Sequence, residues 1–259
     1  MKTLKVIKIG GKIIDNEAQL TSFLREFSSL EGSKILVHGG GKLASDLSNK
    51  MNIPVKFIDG RRVTNAETLD IITMVYAGKI NKTIVAKLQS FGCNSIGFTG
   101  ADGNTIIANK RSETPINYGF AGDVVKVNIR TLKILINSNI TNIFSAISHD
   151  QNGQLLNTNA DTIASELAIA FSKDYKVELY YCFEKKGVLQ RTNDDNSVIN
   201  KINNKTYIEL KKSNIISEGM IPKLDNCFYA LDRNVSKVCI GNPTMLFDHH
   251  SNFTTIQKL

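Results

Sequence analysis

The chain has 259 residues, 42% of them hydrophobic and 22% charged, with a formal net charge of +8. That length suits one large α/β domain or two closely packed lobes, and no apolar run approaches the roughly 18 residues that cross a bilayer, which excludes a helical membrane protein. The lysines are dispersed and not interleaved with aromatics, so the charge suits anionic small molecules or a solvated surface better than a nucleic-acid platform. The four cysteines, Cys93, Cys182, Cys227 and Cys239, show no C-x-x-C spacing and read as small buried hydrophobes. His149, His249 and His250 lack a metal-ligand pattern with neighbouring acids or cysteines. Met1-Lys2-Thr3 leads straight into a strand pattern with no signal-peptide character, so cytoplasmic residence is the expectation.

Residues 4–9 are expected to form a buried strand that runs into Gly10-Gly11. Asp15 is the expected N-cap of a helix in which Leu20, Phe23, Leu24, Phe27 and Leu30 recur at helical spacing, with Gly32 as its stop. A strand over 34–37 leads into His38-Gly39-Gly40-Gly41, and Leu43, Leu47 and Met51 mark the next amphipathic helix. Strand, glycine turn and helix thus occur twice. Such alternation implies a parallel sheet with right-handed crossovers, and it puts both glycine turns at the carboxyl ends of strands, where ligands bind in open α/β sheets. Further strands are expected over 95–98, 105–108, 142–147, 177–183 and 236–240. Ala160, Ile163, Ala164, Leu167 and Phe171 mark one more helix, and Leu224, Cys227, Phe228 and Leu231 another. The polar stretch 191–205 reads as a loop or hairpin, and two lobes divide near residue 172.

Lys8-Ile9-Gly10-Gly11-Lys12 joins a mobile positive charge to backbone that can approach an anion, and phosphate is the natural guest. Taken alone, the segment fits a tight turn with a solvated lysine equally well. His38-Gly39-Gly40-Gly41 uncovers a longer stretch of backbone, which suits close ligand approach, a flexible turn, or an esterase oxyanion element. No G-x-S-x-G elbow accompanies it, and neither the P-loop nor the G-x-G-x-x-G fingerprint is present. Gly60-Arg61-Arg62-Val63-Thr64 offers a guanidinium for a carboxylate, although a lone arginine is usually a surface residue. In Asn157-Thr158-Asn159-Ala160-Asp161, polar side chains cap a helix while Asp161 is either a first-turn acid or a cleft residue. Glu218-Gly219-Met220-Ile221-Pro222-Lys223 places a lysine in a helix's first turn, against the dipole, which hints at an anionic partner or at solvent exposure.

These five segments, in this order, resemble the amino-acid kinase superfamily, and within it the acetylglutamate kinases, over essentially the whole chain. Leu69-Asp70-Ile71-Ile72 and Asn81-Lys82 agree as well. The resemblance implies a three-layer αβα sandwich around a mainly parallel central sheet, the carbamate kinase-like fold. It implies a lobe over 1–172 that binds the acylated amino acid and dimerises, and a lobe over 173–259 that binds ATP, with magnesium carried by the nucleotide. The implied reaction is ATP-dependent phosphorylation of the γ-carboxylate of N-acetyl-L-glutamate, in arginine biosynthesis. On this pattern Lys8 and Lys223 stabilise the transferring phosphoryl, Asp161 orients them, and Gly10, Gly11 and Gly40 lend backbone. Gly41, Arg62 and Asn157 match substrate positions, with Arg62 on the α-carboxylate, while Glu184, Gly187, Val188, Ile216, Ser217 and Met220 match the nucleotide cradle. Two segments depart from the family pattern, Phe183 to Val188 beside the nucleotide and Ser145 to Asp150 beside the acyl group. N-succinyl-L-glutamate therefore stays open as the substrate of the same reaction, and a non-turnover amino-acid or nucleotide sensor is the reading from another class. The first strand starts without the extra N-terminal helix of arginine-inhibited hexamers, so a homodimer without arginine feedback is expected.

Overall fold

The computed structural model describes residues 1–216, 219–248 and 250–258. It opens with β1 (Thr3–Ile9), α1 (Gly11–Asp15), α2 (Glu17–Ser29), β2 (Ser33–His38) and α3 (Gly41–Lys50). A short hairpin of β3 (Phe57–Ile58) and β4 (Arg61–Arg62) precedes α4 (Ala66–Thr73), a π-helical stretch over Met74–Ile80, and α5 (Asn81–Ser90). Then follow β5 (Ser95–Phe98), β6 (Ile106–Lys110), β7 (Gly122–Val127), α6 (Arg130–Asn137), β8 (Thr141–Ser145), β9 (Ile147–His149), β10 (Leu155–Asn157) and α7 (Ala160–Phe171). The remainder is β11 (Lys176–Cys182), β12 (Lys201–Ile202), α8 (Asn204–Lys212), α9 (Ile221–Asp232), β13 (Lys237–Gly241) and β14 (Thr254–Ile256).

Eight strands form the main sheet in the order β12-β14-β13-β11-β1-β2-β8-β5. Its pairings are parallel except for β13 against β14. Strand side chains alternate between faces, and the two halves of the core follow that alternation. Leu4 and Val6 of β1 join Ile35, Val37, Val177, Leu179 and Tyr181 under α6, α7 and α9. Ile7 and Ile9 join Leu36, Tyr180 and Cys182 on the other face, under α2, α4 and α5. The sandwich therefore has three layers, helix on sheet on helix. Lys8 continues the Leu4–Val6 side and sits where that face runs out of core, beside the start of α7. A one-residue slip of β1 would swap its faces, and with about 1.5–3 kcal/mol at stake for each buried aliphatic, the register is firmly set.

Several local expectations are corrected. The helix expected from Asp15 is α2, capped one residue later by Asn16, which accepts from Gln19 N at 2.9 Å, and Asp15 itself ends the separate short helix α1. α3 packs through Ala44 and Ser48, whereas Leu43 and Met51 are exposed. The strand expected over 142–147 breaks at Ala146. β8 stays in the main sheet, and β9 joins a four-stranded sheet ordered β10-β9-β6-β7. The stretch expected as a loop or hairpin over 191–205 is hairpin-like only at its start, where Leu189 and Val198 form an antiparallel bridge, and its end holds β12 and the first turn of α8. All four cysteines are free and buried, and among the described residues no helix is long and apolar enough to cross a membrane.

Candidate active site

Three charged side chains from distant parts of the chain meet at the carboxyl edge of the sheet. Lys8 comes from the penultimate position of β1, Asp161 from the first turn of α7, and Lys223 from the first turn of α9. Asn159 starts α7 by accepting from Asp161 N at 2.7 Å, which fixes the turn that carries the acid. Lys223 Nζ donates to Asp161 Oδ2 at 2.7 Å, and Lys8 Nζ lies 2.7 Å from Oδ1 as an ion pair without hydrogen-bond alignment. Each side chain is about one-seventh exposed, at 14–15%. Burial would raise the Asp161 carboxyl, but the Lys8 and Lys223 charges outweigh it and hold the group well below the usual carboxylate range. Burial lowers the Lys8 ammonium, with Asp161 opposing that shift and the Lys223 charge adding to it. Two cations and one anion leave a net positive charge at this point, which favours an incoming anion.

A cavity of about 260 Å³ opens beside this trio. Lys8, Gly11, Gly40, Gly41, Arg62, Asn157 and Asp161 all line it. α1 and α3 begin at Gly11 and Gly41, and their N-cap glycines, Gly10 and Gly40, provide no side-chain cap. First-turn N–H groups lack intrahelical acceptors, so both helix starts offer donors. Gly40 has φ 154°, and a Cβ there would stand 2.1 Å from Ile80 Cδ1, so only glycine fits. Arg62 is buried and lies 4.6 Å over the Phe57 ring. Its Nη2 donates to Gly41 O at 2.8 Å and to Ser45 Oγ at 2.7 Å, while the buried Nη1 has no partner among the described residues. A guanidinium so held on the cavity wall has the chemistry that suits a carboxylate. Asn157 donates Nδ2 to Thr64 Oγ1 at 3.0 Å.

The expected nucleotide residues divide among other places. Gly187, Val188, Ile216 and Met220 line a second, smaller cavity together with Phe183, Leu189 and Ile215. Glu184 stands outside it, half-exposed and paired with Lys12 at 2.9 Å. Gly10 donates its N–H to Cys182 O at 2.9 Å, so it closes the sheet edge and has no donor left for a phosphate. Ser217 lies outside the described residues.

Tyr181, Tyr76 and Arg111 join the site without having been singled out from the sequence. Tyr181 pairs in register with Lys8, donates its hydroxyl to Asp161 O at 3.1 Å, and places its ring 5.2 Å from Lys223 Nζ. Its signal was the buried aromatic two residues before the end of the strand over 177–183, which core packing explains equally well. Tyr76, from the π-helical stretch, walls the cavity against Gly40. Arg111 reaches the same cavity from the end of β6, its guanidinium fixed on Asp123, and nothing in its local pattern marks it.

Comparison with known proteins finds relatives over nearly the whole chain. The model of the amino acid kinase family matches residues 3–242. The acetylglutamate kinase of Cytophaga hutchinsonii is 55% identical over 241 residues, covering 93% of this chain and 91% of that protein. That of Bacteroides fragilis is 48% identical over 255 residues, covering 98% and 97%. In fold, carbamate kinase from Giardia lamblia bound to AMP-PNP superposes with a TM-score of 0.71 at 13% identity, over 100% of this chain and 99% of that one. With a family model spanning nearly its whole length and close relatives matched end to end, the chain belongs to the amino acid kinase family, among the acetylglutamate kinases.

Proposed function

We propose that the chain phosphorylates the γ-carboxylate of N-acetyl-L-glutamate with ATP, giving N-acetyl-L-glutamyl 5-phosphate, a step of arginine biosynthesis. The reading is carried by Asp161 gathering the Lys8 and Lys223 ammonium groups at the wall of a cavity that Arg62 also lines. Two cations meet the transferring phosphoryl, and the guanidinium meets the substrate's α-carboxylate. The acetylglutamate kinases matched above support the same chemistry here.

The γ-carboxylate is ionised at neutral pH, so no general base is required. One of its oxygens attacks the γ-phosphorus in line. The new O–P bond forms as the bond to the ADP oxygen breaks, and ADP leaves with that electron pair. Aligning two anions and neutralising the charge spread over the phosphoryl is then the whole catalytic task. Lys8, Lys223 and the Gly11 and Gly40 N–H groups perform it, because fixed donors in a partly dry site need no reorganisation. The apolar cavity of Gly187, Val188, Ile216 and Met220 takes the adenine. Both Asp161 oxygens face lysines, and in this reading magnesium arrives with the nucleotide as MgATP. In this reading residues 1–172 hold the acylglutamate, residues 173–259 hold ATP, and the enzyme works in the cytoplasm.

With MgATP, the chain is expected to release ADP only when acylglutamate is present. Arg62→Ala should raise the KM for acylglutamate about 10- to 100-fold, the worth of a charged hydrogen bond of about 1.5–3 kcal/mol, with a smaller change for ATP. Absence of acylglutamate-dependent ADP release in the native chain would leave the sensor reading standing instead.

Arg111 favours a second reading of the acyl end. A second guanidinium on the cavity wall suits an acyl group that itself ends in a carboxylate, as in N-succinyl-L-glutamate. The ratio of kcat/KM for the two substrates decides between them. A preference for succinyl would select the second reading, and Arg111→Ala should then cut kcat/KM for that substrate alone by about tenfold or more.

The proposal includes a homodimer, the assembly that the family resemblance implies. Sedimentation equilibrium should return twice the chain mass. A monomer, or a hexamer, contradicts that part.

A further inference from the structure

Three consecutive glycines let the backbone approach a phosphate, but they also leave the peptide between Gly39 and Gly40 free to rotate, because glycine tolerates either sign of φ. Something else must hold that peptide. His38 and Asn81 stand behind it, both fully buried, at the end of β2 and the start of α5. Asn81 Nδ2 donates to Ile143 O at 3.0 Å and lies 3.0 Å from His38 Nε2. His38 Nδ1 lies 2.9 Å from Gly39 O. A carbonyl oxygen only accepts. The Ile143 bond therefore identifies the Asn81 nitrogen as the donor, which leaves Nε2 as acceptor and puts the imidazole proton on Nδ1, where Gly39 O needs it.

We infer that Asn81 and His38 are positioning residues that set the direction of the Gly40 N–H. In a trans peptide the C=O and the following N–H point opposite ways. Holding Gly39 O on His38 therefore turns the Gly40 N–H away from the α5 side and toward the cavity, where Ala160 and Asp161 lie. Gly40 N has no protein acceptor among the described residues. Lys82 Nζ, 3.3 Å from Asn81 Oδ1, steadies the far end of the chain of bonds. Burial pulls the imidazole down to about 4, against the pull of the Gly39 bond and with the Lys82 charge adding to it, so the ring stays neutral at working pH. The triglycine turn supplies access, and His38 supplies the rigidity that glycine lacks.

The inference rests on the proposed role of the Gly40 N–H at the phosphoryl, and two measurements separate its failure from the failure of that role. Nitrogen-15 NMR of the native chain near neutral pH should show His38 protonated on Nδ1 and bare on Nε2. The opposite tautomer, or a cationic ring, overturns the lock whatever the activity. Kinetically, His38→Leu should lower kcat about 10- to 100-fold, below the loss from removing an oxyanion donor outright, with KM for ATP changed by less than about threefold. His38→Asn, whose side-chain amide can still donate to Gly39 O, should recover most of the loss. Wild-type kcat in folded His38→Leu, or no recovery in folded His38→Asn, overturns the inference. Should His38→Leu not fold, Asn81→Ala carries the same test. In Asn81→Ala, where Nε2 has lost its donor, mixed His38 tautomers together with a lowered kcat support the lock, and an unchanged kcat or an unchanged Nδ1 tautomer contradicts it.

Discussion

Lys223→Ala, and separately Lys8→Ala, should each lower kcat by about 100-fold or more, the loss found when one preorganised donor to developing charge is removed. KM should change much less, because these ammonium groups act on charge that spreads over the phosphoryl as it transfers. Neither lysine can stand in for the other. Lys8 rises from the sheet edge and Lys223 from a helix start, so the two ammonium groups approach Asp161 through different oxygens and address the transferring group from different sides. Near-normal kcat in both folded variants would refute the assigned roles. The depressed ammonium of Lys8 adds a pH signature. Activity that needs its cation is lost as pH rises through a value below that of an ordinary lysine, and the basic limb of kcat/KM, which reports the free enzyme, should show this.

Asp161→Asn should act on catalysis and on stability together. The native carboxyl titrates below its ordinary range, so it contributes stability that is fully present above about pH 4 and is lost as pH falls toward the depressed folded value. Replacing it leaves two ammonium groups facing each other at the edge of the core. Breaking a buried charge pair costs about 3–5 kcal/mol, and the residual exposure of this trio brings the expected loss to about 2–4 kcal/mol in urea unfolding at neutral pH. Asp161 also raises the Lys8 ammonium, so its removal should move the basic limb of kcat/KM to lower pH, since Lys8 then loses its proton more readily. An unchanged unfolding midpoint together with an unchanged limb would show that the carboxylate does not hold the lysines.

Much of this site was legible because its parts are local. Lys8 with Gly10-Gly11, the Gly39 to Gly41 triplet, and Asp161 behind an asparagine cap are each a strand end or a helix start, and such features are written in a few adjacent residues. The sheet's parallel character followed from alternation alone. What escaped the reading depends on register and long-range contact. Tyr181 looks like any core aromatic until β11 is paired with β1, and Arg111 reaches the cavity only because β6 lies in a separate sheet with β7 and β9. Ala146 stands between Ser145 and Ile147 with no glycine or proline beside it, so the break between β8 and β9 carries no turn residue to announce it. Gly10 shows the same limit: a glycine beside a phosphate site and a glycine closing the sheet on Cys182 share one local pattern. Asn16 displaced Asp15 as a helix cap because both residue types cap well, and only the path of the chain chooses between them.

The central claim, that Lys8, Asp161 and Lys223 transfer a phosphoryl from ATP to an acylglutamate carboxylate, is tested most directly by trapping the acyl phosphate with hydroxylamine. With MgATP and acylglutamate, the native chain should yield hydroxamate and ADP in equal amounts, and Lys223→Ala should lose both together. ADP without hydroxamate, or equal yields from the native chain and folded Lys223→Ala, would contradict it.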